Sequence, residues 1–179
     1  FQADPFEMND NRLIPTEFSD LSTTNLNPTI DPGETNVFGD PVVPGDEDWY
    51  SFQPTKTSVY RLDLLFNQIA QVNSGRAGLP GDGNLDISIY DINGKLIATG
   101  TDVSGLGLEP VGGQNIGEQL TFGAQAGNHY YIRVKGHPRV IGDERIVNDA
   151  VNTYQVKLTD VDIIGPQVTK LYITDNPLT

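Results

Sequence analysis

Two clusters of oxygen-bearing side chains have the types and spacing to do chemistry. The first is Glu7, Asn9 and Asp10, inside Asp4-Pro5-Phe6-Glu7-Met8-Asn9-Asp10. The second comprises Asp46 and Asp48, with Glu47 between them, in Gly45-Asp46-Glu47-Asp48-Trp49-Tyr50-Ser51-Phe52, which also holds the single tryptophan. Carboxylates and amide carbonyls at this density suit a hard cation such as Ca²⁺, which gathers about six to eight oxygens in an irregular shell. Each cluster has a simpler alternative. Asx turns use the same residue types as the first, and a solvated acidic turn ahead of a core strand accounts for the second.

Other chemistry finds less support. His129 and His137 are the only histidines, and neither accompanies a nucleophile signature such as Gly-x-Ser-x-Gly. The chain has no cysteine, which excludes disulfides, thiolate chemistry and zinc–thiolate sites. Acid pairs of the glycosidase kind cannot be selected from sequence alone. The expectation is a protein that is not an enzyme. Tyr60, Tyr130, Tyr131 and Tyr154 are candidates for stacking a ligand, against the alternative that strand tyrosines fill the core or its rim.

The elements that must position these residues are short strands. Pro44-Gly45 is a turn signal, and Asp48, Tyr50 and Phe52 then alternate with Trp49 and Ser51, so the acids fall at the mouth of a strand. Ser58 to Phe66 reads as the longest strand, with Arg61 and Asp63 on the opposite face from Val59, Tyr60, Leu62, Leu64 and Phe66. Leu85, Ile87 and Ile89 face inward along the next strand, and Asp91-Ile92-Asn93-Gly94 turns it back through Lys95 to Gly100. A Gly-rich loop over 101–117 precedes Glu118 to Phe122, which is expected to pair with His129 to Lys135. Thr153 to Thr159 closes the set, with long loops at 67–84 and 136–152. Asn36 to Gly39 is a short strand candidate. Residues 1–35 read as an ordered strap lying across a sheet, with Trp49 buried beneath it and its indole N–H hydrogen-bonded. About seven or eight strands with turn chemistry between them, and no amphipathic helix, predict an all-β, antiparallel, jelly-roll-like β-sandwich.

Taken in order, four of these pieces resemble the bacterial pre-peptidase C-terminal domain family, which is similar to the collagen-binding domains of clostridial collagenases. They are the Asp4 to Asp10 stretch with its Glu-x-Asn-Asp pattern, the Gly45 to Phe52 stretch, Leu85 to Gly94, and Tyr130 to Val134 with Asn152 to Val156. The likeness spans about residues 4 to 160. The 67–84 loop, Asp40 to Pro44 and the 136–152 excursion depart from it and put any inherited ligand surface in doubt. The resemblance implies a calcium site in which Glu7, Asn9 and Asp10 meet Asp46 and Asp48, with a main-chain carbonyl near Gly39 or Asp40. Clustered carboxylates repel by roughly 1 to 4 kcal/mol per pair, depending on screening, and a divalent cation reverses that sign.

The totals agree with such a module. A formal charge of −13 over 179 residues is unsuited to nucleic acid or to anionic lipid. No apolar run is long enough to span a bilayer. The chain opens Phe1-Gln2-Ala3-Asp4, and is read as processed or as a piece of a longer polypeptide. Residues 1–163 are expected to form the sandwich. Residues 164–179, punctuated by Gly165-Pro166, are expected to be a linker and the first strand of a following module, or a strand shared between subunits. The expected function is a calcium-stabilised module of a secreted or cell-surface bacterial protein, in structural assembly or adhesion. Its partners would be neighbouring domains or subunits of an extracellular assembly. The alternative is a collagen- or carbohydrate-binding accessory module of a secreted hydrolase, with a protein or polysaccharide ligand.

Overall fold

The structure is a computed structural model, and it describes residues 9–17, 29–30, 34–35, 41–43, 47–66, 84–107, 116–136, 139–141, 144–146 and 152–161. The chain is all-β over these residues, and among them no helix is long and apolar enough to cross a membrane. The two main sheets have five strands each. The first runs in the order β1 (Thr16–Glu17), β5 (Glu47–Phe52), β11 (Tyr130–Gly136), β7 (Leu85–Asp91) and β8 (Leu96–Thr99). The second runs β2 (Thr29–Ile30), β14 (Asn152–Val161), β6 (Ser58–Phe66), β10 (Ile116–Ala124) and β9 (Thr101–Ser104). Pairing is antiparallel except between β1 and β5. Two small hairpins, β3 (Glu34–Thr35) with β4 (Pro41–Val43) and β12 (Arg139–Ile141) with β13 (Glu144–Ile146), stand apart from the sheets.

Period-2 alternation makes each sheet apolar on one face, and the two apolar faces meet as a β-sandwich. Tyr50, Phe52, Ile87, Ile89, Ile132 and Val134 come from the first sheet; Tyr60, Leu62, Leu64, Phe66, Phe122 and Leu158 come from the second. Phe52 is the aromatic hub between them, with Tyr60, Phe122 and Tyr130 rings 5.3, 6.4 and 6.3 Å away.

Glu118 to Phe122 and His129 to Lys135 do not pair. They lie in opposite sheets, joined by an arch at residues 125–129. Leu120 and Phe122 face Tyr130 and Ile132 across the core instead of lying beside them, and period-2 patterning is the same in either arrangement. Gly127 takes φ +79° there, and its N–H donates to Pro54. The Asp91 to Gly94 hairpin forms as expected: the Asp91 carboxylate accepts from the Asn93 and Lys95 N–H groups, and Gly94 sits at φ +79°. Thr101 to Ser104, read as loop, is a strand. It borders the second sheet, so the chain changes sheets at Gly100.

The strap contributes paired backbone. Thr16–Glu17 extends the first sheet beside Tyr50 and Ser51, and Thr29–Ile30 extends the second beside Asn152 and Thr153. The 36–39 strand candidate, the loop at 67–83, the 163/164 boundary and the strand expected after Pro166 lie outside the described residues.

Candidate functional site

Of the five residues expected to bind metal, Glu7 and Asp46 lie outside the described residues, as do Gly39 and Asp40. Asn9 and Asp48 are brought to the same edge of β5. The Trp49 N–H donates to the Asn9 carbonyl at 3.0 Å, so the strap is fastened to the strand next to Asp48. Asp10 is exposed. Among the described residues no three carboxylates or imidazoles form a group able to hold a metal ion.

Asn9 is only 2% exposed, and neither its amide oxygen nor its amide nitrogen has a hydrogen-bond partner. Each such buried polar atom costs about 1–3 kcal/mol, so this side chain is placed where a further group would satisfy it. Asp48 points into the sandwich, also 2% exposed, because it shares the inward face with Tyr50 and Phe52. Its Oδ2 accepts the Tyr154 hydroxyl, and the Tyr154 and Tyr50 phenolic oxygens are 2.6 Å apart. Burial, then the nearby Tyr50 and Asp48, push the Tyr154 phenol well above its usual pKa. A carboxylate has about four lone-pair sites, so the tyrosine bond does not exhaust Asp48. Asn9 and Asp48 thus fit a hard-cation shell in chemical type. Periodicity showed Asp48 and Tyr50 sharing a face, but nothing in the sequence linked them to Tyr154, more than a hundred residues away.

Trp49 is not buried beneath the strap. It stands half-buried on the outer face of the first sheet, because the odd positions of β5 point away from the core. Its indole N–H does find an acceptor, Glu47 Oε2 at 3.3 Å. Its ring meets Tyr90 at 5.2 Å, and the Arg133 guanidinium lies 5.5 Å from its centroid. Arg133 binds both Glu47 carboxylate oxygens, with Nε to Oε2 at 2.8 Å. Burial works against its charge, but the bonds to Glu47 and Tyr90 outweigh it, and its pKa is raised. Of the four tyrosines offered as ligand contacts, Tyr60, Tyr130 and Tyr154 are core residues. Tyr131 alone is on the outer face, where the guanidinium of Arg12 covers it at 5.6 Å. Arg12 also donates to the Ile92 carbonyl at 3.0 Å, clasping the strap to the β7–β8 turn.

The buried carboxyl of Glu118 was not anticipated. Glu118, 6% exposed, accepts from the Ile87 N–H at 2.6 Å and so links the second sheet to the first. Burial raises its pKa to about 7 against the pull of the Ile87 bond, with Asp86 and Asp102 adding to the rise. Gly100 makes this approach possible: a Cβ there would lie 2.4 Å from Glu118 Oε2 and 2.8 Å from Ile87 Cγ2. His129 is exposed at the arch, and His137 lies outside the described residues.

No family model matches the chain, and no curated protein matches it. Among solved structures it is similar to the pre-peptidase C-terminal domain of a collagenase from Bacillus anthracis. The identity is 14% and the TM-score 0.36, over 63% of this chain and 76% of that one. That domain is of the family which the four sequence motifs resemble.

Proposed function

We propose that the chain is a non-catalytic module of a secreted or cell-surface protein, acting in assembly or adhesion, with its strap secured by Ca²⁺. The observation that carries the metal reading is Asn9. Its side-chain amide is buried with both polar atoms unpartnered, and its backbone carbonyl accepts the Trp49 N–H where the strap meets the strand. Asn9 Oδ1 and the Asp48 carboxylate would hold the ion, with Asp10, Glu7 and Asp46 supplying the remaining side-chain oxygens. Bound there, the cation would neutralise the clustered carboxylates and cross-link strap to sheet. The chain's own residues hold the strap at two further places, the Arg12 clasp and the pairing of Thr16–Glu17 with Tyr50–Ser51.

Calorimetry after exhaustive chelation, with and without millimolar Ca²⁺, tests the metal. A ligand that binds only the native state adds stability by mass action, about 2.7 kcal/mol at a hundred times its Kd. The melting temperature is expected to rise with Ca²⁺, and Mg²⁺ is expected to substitute poorly. Asp48→Asn and Asn9→Ala are each expected to blunt the rise, whereas Asp160→Asn is not. A melting temperature indifferent to calcium would overturn the metal reading.

A further inference from the structure

The outer face of the first sheet carries three rows of side chains in register. Ser51, Tyr131 and Tyr90 form one row, Trp49, Arg133 and Ser88 the next, and Glu47, Lys135 and Asp86 the third. β8 sets Leu96 opposite Tyr90 and Thr99 opposite Ser88. Over β7 lies a cleft of about 360 Å³, lined chiefly by Asp86, Ser88, Tyr90, Thr99, Arg133 and Lys135. That size falls within the range of small-ligand sites, about 300–1,000 Å³.

The chemistry of the lining selects a class of ligand. Its cations are paired: Lys135 Nζ is 3.8 Å from Asp86 Oδ2, and Arg133 is held by Glu47. A charged ligand would have to break one of these pairs, and a neutral one would not. The remaining polar groups are the hydroxyls of Ser88, Thr99 and Tyr90, beside ion pairs that still offer donors and acceptors. Arg133 Nη1 lies 3.4 Å from the Tyr90 hydroxyl, which fixes the two side chains together. Tyr90 is stiffened from behind by Trp49. Glu118, which reaches the cleft from the other sheet, accepts the Ile87 N–H through Oε2 and adds a carboxyl to the lining. β7 pairs with β11 on one side and β8 on the other, so an extended peptide finds no open strand edge in the cleft.

We infer that this cleft is a binding site for a neutral, hydroxyl-rich ligand, a sugar ring of a glycan, with Tyr90 as the apolar platform and the paired charges and hydroxyls around it as hydrogen-bond partners. The cleft is separate from the proposed metal position: Asn9 borders β5, whereas the cleft lies over β7, on the far side of β11.

Titration of the whole chain with cellotetraose, chitotetraose, xylotetraose and mannotetraose tests this, followed by Trp49 fluorescence and by backbone NMR shifts. Saturable binding of at least one sugar is expected, with shifts centred on β7 and β8. Tyr90→Ala and Asp86→Asn are each expected to weaken it about tenfold or more. Tyr131→Ala, on the same face but outside the cleft, should leave it unchanged. Asp86→Asn keeps the test open if Tyr90→Ala fails to fold. Repeating the titration in chelator, below the melting transition, separates the result from the metal reading, because the cleft contains none of the proposed ligands. No binding at millimolar sugar overturns the inference. So does binding of a collagen-like triple-helical peptide that the same two variants abolish while the sugars stay inert.

Discussion

The hydroxyls of Tyr50 and Tyr154 meet at 2.6 Å across the sandwich interior, one from each sheet. Tyr154 also donates to Asp48, so a single phenol joins the two sheets and supplies a donor to a buried carboxylate. Tyr154→Phe is therefore expected to cost about 1–3 kcal/mol, the range for removing one partner from a buried hydrogen bond. Tyr50→Phe, which leaves the Tyr154–Asp48 bond in place, should cost about 1 kcal/mol. Urea unfolding of the two variants checks the order, and equal losses would show that the Asp48 bond contributes nothing extra.

Glu118 makes a pH prediction with a definite sign. Its native pKa, about 7, is raised above the ordinary 4.5, so the native state holds this proton more tightly than the unfolded chain does. The associated stability is present in full below about pH 4.5, is lost as pH rises toward 7, and is absent above. A shift of this size corresponds to roughly 3 kcal/mol. Glu118→Gln keeps an acceptor for the Ile87 N–H without the ionisation. It is expected to be more stable than the parent at pH 8 by up to that amount, and near-equal at pH 4.5. Parallel stability–pH curves for the two proteins would refute the assignment.

Gly100 and Glu118 should be coupled. Gly100→Ala drives a methyl into the Glu118 carboxylate and the Ile87 side chain, and is expected to cost about 1–3 kcal/mol, the range for overpacking. In a Glu118→Ala background the carboxylate contact disappears and the cost should fall. A double-mutant cycle reads the difference, and additivity within about 0.5 kcal/mol would mean that Ile87 alone sets the penalty.

The Arg12 clasp is accessible to a simpler measurement. Arg12→Ala removes a cation over Tyr131 and a bond to Ile92, together worth about 1 kcal/mol at a half-exposed site. The expected result is a small change in global stability and markedly faster proteolysis within residues 10–15. Unchanged cleavage would show that the strand pairing of Thr16–Glu17 holds the strap alone.

The sandwich was legible because alternation along Tyr50 to Phe52, Tyr60 to Phe66 and Leu85 to Ile89 is a direct statement of which side chains leave water. Asp91 to Gly94 announced its own hairpin for the same local reason. The partner of a strand is not local: residues 116–124 and 130–136 carry the same period whether they lie side by side or face to face. Trp49 was misplaced because its bulk argued for burial while its odd position in β5 put it outside, and register overrides size. Arg133 and Tyr90 went unread as a site, since only the pairing of β11 with β5 and β7 brings them beside Trp49. The role of Tyr154 toward Asp48 depends on sheet packing, which no spacing encodes.

The strap borders β5 at Asn9, Thr16 and Glu17, and this has a consequence for solubility. β5 is six residues long and rich in aromatics, and among the described residues the strand beside it on that side, β1, is two residues long. With the strap lifted, its outward-facing N–H and C=O groups would form an open template on which a second chain could add a strand. The same few contacts that anchor the N-terminal segment thus guard the fold against self-association. Variants that loosen them should reveal themselves first as concentration-dependent aggregation, well below the temperature at which the sandwich melts.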